Sequence, residues 1–155
     1  MSIYKTFETD KNIEQEGIEV DYGDTRFVLA RAGGANNRFK KVFQAKTKPY
    51  RRQIETDTLS ESVARKMLAE AYAEAIIIRV DVAEVDDNNE PILVKGEKKW
   101  KLNRIPLEDG TDSPATQERV TALLLELPEL FADIQEMATL ASNYRAVEEE
   151  ADSGN

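Results

Sequence analysis

Five acids, Asp81, Glu84, Asp86, Asp87 and Glu90, fall within ten residues, a density that could hold a hard divalent cation in oxygen ligands. Calcium-binding EF-hand loops alternate their ligands as DxDxDG and close on a glutamate at the twelfth position, and this stretch has neither feature. The cluster reads instead as a solvated loop. Gly33-Gly34 follows an apolar run and could bring backbone amides close to a phosphate. No GxGxxG pattern and no Walker lysine follows, so the pair reads as a turn that ends a strand.

The chain has no cysteine and no histidine. Disulfides, thiolate nucleophiles and cysteine-ligated metals are excluded, and so are the usual neutral-pH base and the commonest metal ligand. His-assisted hydrolysis and zinc catalysis go with them. Carboxylate-only chemistry survives in principle, because acids are plentiful, but the remaining acid pairs are spread as on a solvated surface. The expectation is a protein without catalytic residues, cofactor or metal, whose work is to hold other proteins.

The charge pattern sharpens this. Net charge is -9, yet Arg38 to Arg52 carries seven basic residues and no acid. Residues 1–24 hold seven acids against two lysines, and residues 108–155 hold twelve acids against two arginines. So acidic a chain is a poor match for nucleic acid or an anionic membrane through its general field. The basic run reads as a solvated helix face, as a dock for an acidic protein surface, the 108–155 region included, or, against the overall charge, as a contact for DNA or RNA. No stretch approaches the roughly 20 consecutive apolar residues that span a bilayer, and the N-terminus lacks the pattern of a secretory signal.

The elements that would position these residues follow from periodicity. Ile18, Val20 and Tyr22 alternate with Glu19 and Asp21, Gly23-Asp24 turns the chain, and Thr25 to Arg31 returns, which predicts a β-hairpin. Asn36 or Asn37 opens a basic helix with Phe39, Val42 and Phe43 on its apolar face, and Pro49 ends or kinks it. Leu59 to Arg79 is the strongest helix, passing through Ile76-Ile77-Ile78 into extended chain. Asp81 to Asp112 reads as a small β-rich excursion with strands near Pro91–Val94 and Lys99–Leu102. Ser113-Pro114 reads as a helix start, and Pro128 opens a last helix whose face runs Phe131, Ile134, Ala138, Ala141 and Tyr144. The fold class is therefore α+β, mainly α-helical, with an N-terminal β-hairpin and a β-rich excursion near residues 80–105. Residues 1–16 read as a flexible acidic arm, 17–147 as a single domain in which 81–112 is a variable insertion, and 148–155 as a disordered acidic tail.

In their order along the chain, RAGGANNRF, KPYRR, AEAYAEAIII and LPELFADIQEMA resemble the tail assembly chaperones of long-tailed bacteriophages. The segments Arg31 to Asn36, Lys48 to Arg52 and Leu127 to Ile134 carry most of the resemblance, whereas the first fifteen residues and 81–112 match poorly. The resemblance implies a non-enzymatic protein of the infected host's cytoplasm. It would coat the tape measure protein, bring major tail tube subunits to it, and leave before the virion matures; separately, the several short amphipathic helices suit a protein that self-associates. Arg38, Phe39, Phe43, Tyr50, Arg51, Arg52, Leu130 and Phe131 are the expected protein-binding residues, as aromatics and cations next to helix ends. The rival expectation is a stable virion part such as a tail completion or head–tail connector protein.

Overall fold

The computed structural model describes residues 2–145. Two short helices open the chain, α1 (Ile3–Phe7) and α2 (Lys11–Glu16), capped by the side chains of Ser2 and Asp10. The hairpin of β1 (Ile18–Asp21) and β2 (Thr25–Leu29) forms as the alternation predicts, with Val20 opposite Phe27. A glycine turn leads to α3 (Asn37–Thr47), a 3-10 turn (Lys48–Tyr50) and α4 (Arg51–Glu55). Then come α5 (Glu61–Ala75) and β3 (Ile77–Ala83), the direct helix-to-strand passage expected of three successive isoleucines.

The sheet is antiparallel. β3 pairs with β2 on one side and with β6 (Trp100–Leu102) on the other, giving the order β1-β2-β3-β6. Between β3 and β6 the chain makes a minor hairpin, β4 (Leu93–Val94) with β5 (Glu97–Lys98). A second ribbon, β7 (Arg104–Pro106) with β8 (Asp112–Pro114), leads into α6 (Gln117–Glu126), α7 (Pro128–Thr139) and a final 3-10 turn (Ala141–Tyr144).

Helices cover one face of this sheet. Val20, Phe27 and Val80 stand opposite one another across three strands and share a core with Tyr72, Leu124, Phe131 and Ile134. Each fully buried side chain of this kind contributes roughly 1.5–3 kcal/mol, so the helical layer and the sheet depend on each other. The opposite face carries Glu19, Arg26, Arg79 and Asp81, with Trp100 at its margin.

Four expectations need correction. The acidic arm is not free: Glu14 in α2 is 1% exposed and anchors the segment. The 81–112 stretch is no separable insertion, because Asp81 lies within the central strand β3 and Ile105, 1% exposed, is in the core. Asp81 is accordingly not part of a solvated loop. Ser113-Pro114 belongs to β8 rather than a helix start; Asp112 is gripped by Lys101 and Arg104, and Thr116 caps α6 instead. The expected tail at 148–155 lies outside the described residues.

A candidate protein-docking surface

Three surface features and two buried hubs define what this molecule presents. The first feature is an elbow. Pro49 cannot continue the α3 hydrogen-bond ladder, so the basic run bends through a 3-10 turn into α4. Thr47 Oγ1 donates to the carbonyl oxygens of Phe43 and Gln44 and closes the end of α3. Asn36 takes the N-cap position but caps nothing; its amide donates to the carbonyls of Arg31 (2.9 Å) and Ala75 (3.2 Å), tying the start of α3 to the end of α5.

Arg38, Lys40, Lys41, Lys48, Arg51 and Arg52 are all exposed along this elbow. Lys46 pairs with Glu74 (3.3 Å) and Glu70 (3.9 Å) of α5, and Arg51 with Glu55 (3.7 Å), an exposed pair of little energetic weight. The other five cations have no ion-pair partner among the described residues. Ile54, 45% exposed, sits with Gln44, Lys48 and Arg51 around a shallow groove of about 450 Å³.

The second feature escaped the sequence reading. On α1, Ile3, Tyr4 and Phe7 are 70%, 77% and 69% exposed. Their spacing behind the Ser2 cap is that of one helix face, a signal hidden in a segment that looks merely polar. The third is the rim of α7, where Leu127 and Leu140 remain exposed.

The predicted contact residues divide accordingly. Phe131 is 3% exposed and its ring meets Tyr72 edge-on at 5.4 Å, while Tyr72 meets Phe39 at 5.3 Å and Phe39 stacks on Phe43 at 6.0 Å. Phe131 is thus a core residue and not a contact residue, because the aromatic chain that joins α3, α5 and α7 consumes it. Phe39 and Leu130 are half-buried and pack against the same core. Phe43 and Tyr50 are half-buried on the elbow, beside the exposed Arg38, Arg51 and Arg52. The elbow gathers six of the eight expected residues; Leu130 and Phe131 stand apart from it on α7.

The first hub explains the RAGGAN segment. The Glu14 carboxylate accepts from Arg31 Nη1 (2.9 Å), the Ala35 N–H (3.0 Å) and the Thr9 hydroxyl (2.5 Å). Gly34 has φ +56°, and a Cβ there would overlap Glu14 Oε2. The glycine pair is a turn shaped around a carboxylate of its own chain. Burial would raise the Glu14 pKa, but the Thr9 hydroxyl, the Ala35 amide and Arg31 outweigh it and hold the group below its usual value.

The second hub lies on the open face of the sheet. Asp81, fully buried, accepts from Arg26 Nη2 (2.8 Å), Arg79 Nε (2.8 Å) and the Asn103 N–H (3.1 Å). Its pKa too is lowered, since the two arginines and the amide overcome the penalty of burial. Arg26 in turn lies over the Trp100 ring at 4.6 Å. Tyr144 is buried and donates to the Leu29 carbonyl at 3.1 Å, with burial raising its pKa. Tyr72 is pushed up to about 12 by burial alone. Both carboxylates are held ionised by donors that fill their lone pairs, an arrangement suited to structure rather than proton transfer.

No family of known proteins, no characterised protein and no solved structure matches the chain. Among the described residues no helix is long and apolar enough to cross a membrane, and no group of three metal-ligating side chains converges.

Proposed function

We propose that this chain is a tail assembly chaperone of a long-tailed bacteriophage, acting in the host cytoplasm on the tape measure protein and major tail tube subunits. The observation that carries the reading is the exposed face of α1, on which three large apolar side chains, Ile3, Tyr4 and Phe7, are 70%, 77% and 69% exposed. Contiguous exposed apolar surface on a folded domain marks a site of protein contact. A holdase for long amphipathic helices needs such a surface, together with enough charge to keep the complex dispersed.

The elbow supplies the charged companion to α1. Lys48 and Arg51 border the shallow groove around Ile54, with Glu55 on its rim, and the exposed Arg38, Lys40, Lys41 and Arg52 extend the positive charge along the elbow, a surface suited to a helix with an apolar anchor and acidic margins. The resemblance in RAGGAN, KPYRR and LPELF supports the same assignment.

The test is co-expression with a tape measure protein of a long-tailed phage. Soluble yield of that protein should rise several-fold with the intact chain and return to baseline with Ile3, Tyr4 and Phe7 replaced by serine. Equal yield with and without the chain overturns the reading. Purified tails should lack the protein, whereas a completion or connector protein would remain in them.

A further inference from the structure

A cavity of about 280 Å³ lies where the sheet loses a strand. β6 pairs with Asp81, Val82 and Ala83 alone, so the first half of β3 has a hydrogen-bonded neighbour only on its β2 side. The cavity is lined by that half of β3, by the last turn of α5 and by the first residue of α6. Its floor is apolar, formed by the buried Ile77, Val80 and Val120. Four donor-bearing side chains stand around it, each from a different part of the fold. They are Arg38 in α3, Arg79 in β3, Asn103 between β6 and β7, and Gln117 in α6.

These donors are largely unspent. Arg79 gives its Nε to Asp81 at 2.8 Å, while its Nη1 and Nη2 have no acceptor among the described residues. Asp81 also divides its single charge with Arg26, at 2.8 Å from Nη2. Arg38 has neither an ion-pair nor a hydrogen-bond partner for its guanidinium among the described residues, and the Asn103 and Gln117 side-chain amides have none either. Glu74 is the one acid that lines the cavity, and Lys46 holds its carboxylate at 3.3 Å. Solvated arginines scattered over a surface would signify little. Two that share one cavity, with two free amides and an already paired acid, leave it short of negative charge.

We propose that this cavity binds a phosphate group, free or carried on a small molecule, with Arg38 and Arg79 as its charged donors and Asn103 and Gln117 as its neutral ones. A guanidinium fork matches the oxygens of a phosphate, and charge-assisted bonds of this kind are the strong ones. Four donors supplied by four parts of the fold suit a tetrahedral ion with several acceptor oxygens better than the two oxygens of a carboxylate. The volume is just under the roughly 300–1,000 Å³ usual for small-molecule pockets, which suits a compact ligand rather than a nucleotide. An occupant would tie α3, β3 and α6 together at the flank that β6 leaves open.

The test is titration of the isotope-labelled full chain with inorganic phosphate at low ionic strength, read by NMR. The side-chain signals of Arg79, Asn103 and Gln117 should shift together and saturate. R38Q alters an exposed side chain and keeps the fold, and it should weaken binding by at least about tenfold, the loss expected of one charge-assisted hydrogen bond. R79K keeps a cation beside Asp81 but lacks the fork, and it should weaken binding as well. K66Q, on an earlier turn of α5 and absent from the cavity lining, should leave it unchanged. A parallel titration with glycerol phosphate separates the two sources: tighter binding than inorganic phosphate assigns the site to a small phosphomonoester, weaker binding to the free ion. Shifts that never saturate, shifts centred on Lys40, Lys41 and Arg52, equal affinity for succinate, or R38Q and R79K both binding as the parent does would each overturn the proposal. The cavity stands apart from α1 and from the Ile54 groove, so its failure leaves the chaperone reading standing.

Discussion

Helices α7 and α1 both set apolar residues at helical intervals, and the fold treats them in opposite ways. In α7, Phe131, Ile134 and Ala138 are buried at 3%, 0% and 0% exposure and join the core beneath α5 and α6. In α1, Ile3, Tyr4 and Phe7 are about two-thirds exposed or more, and the segment that follows the helix is tied to the body. That anchor is polar: Glu14 in the glycine turn and the Asp10 amide on Tyr144. The carboxylate latch thus fixes α2 to the glycine turn, next in sequence to a helix whose apolar side chains stay exposed. The contrast separates residues that make the domain from residues that the domain presents.

The largest effect should come from the buried side. Phe131→Ala removes the ring that joins α7 to Tyr72, and large-to-small changes of this kind cost about 3–5 kcal/mol. Urea unfolding of this variant beside Phe7→Ala should show a marked loss for the first and almost none for the second. Comparable losses would mean that α1 is as much a part of the core as α7.

Next in size is the latch. Glu14→Gln leaves Arg31 without its ionised partner and weakens the bond from the Ala35 amide, for a loss of about 1–3 kcal/mol. Gly34→Ala should act through the same contact, since its Cβ would take the place of Glu14 Oε2. Hydrogen exchange should locate the change: amides of α2 and of residues 31–36 lose protection while those of α5 and β3 keep theirs. Uniform loss across the domain would show that the latch is not a local device.

Much of this division was legible in the residues, and the part that was not is instructive. The hairpin, α5 and the inward face of α7 followed from periods of two and of three to four, because burial on one side imprints itself on sequence. The latch did not, since Glu14 and Arg31 lie seventeen positions apart across a hairpin and nothing local distinguishes Glu14 from Glu8 or Glu16. Asp81 was hidden the same way, one acid in an acidic run until Arg26 and Arg79 close on it. Ser113-Pro114 has the residues of a helix start, but tertiary pairing of β7 with β8 overrides that local signal. Residue type alone does not tell Phe131 in the core from Phe7 outside it, because the difference lies in the tertiary packing around each ring.

Acid should separate the two carboxylates from the apolar framework. Glu14 and Asp81 both have folded-state pKa values below their ordinary 4.5 and 3.8. The unfolded chain therefore takes up protons first as pH drops, and the stability each contributes is complete above those values and lost as pH falls through the folded ones. Stability should be nearly flat from pH 8 to 5 and decline below about pH 4.5, where Glu14→Gln should show a shallower slope than the parent. An identical slope would show that Glu14 is no more strongly held in the fold than in the unfolded chain. Tyr144→Phe, which removes one buried hydrogen bond without adding charge, should cost about 1 kcal/mol at every pH in this range.

The smallest expected effect on stability comes from the residues with the greatest expected effect on function. Ile3→Ser and Phe7→Ser alter side chains that are 70% and 69% exposed, so unfolding midpoints should move by no more than about 0.5 kcal/mol in free energy. Exposed apolar groups of this size gain their transfer energy, on the order of 25 cal/mol per Å², only when something covers them. If a partner covers α1, the paired variant should therefore lose binding by a factor of a hundred or so while melting as the parent does. A variant that melts normally and still solubilises the partner would show that α1 is outside the contact and would move the docking surface to the elbow alone. Replacing Lys40 and Lys41 by glutamate then decides whether the elbow carries it, because charge reversal there leaves the Phe39–Tyr72–Phe131 chain intact.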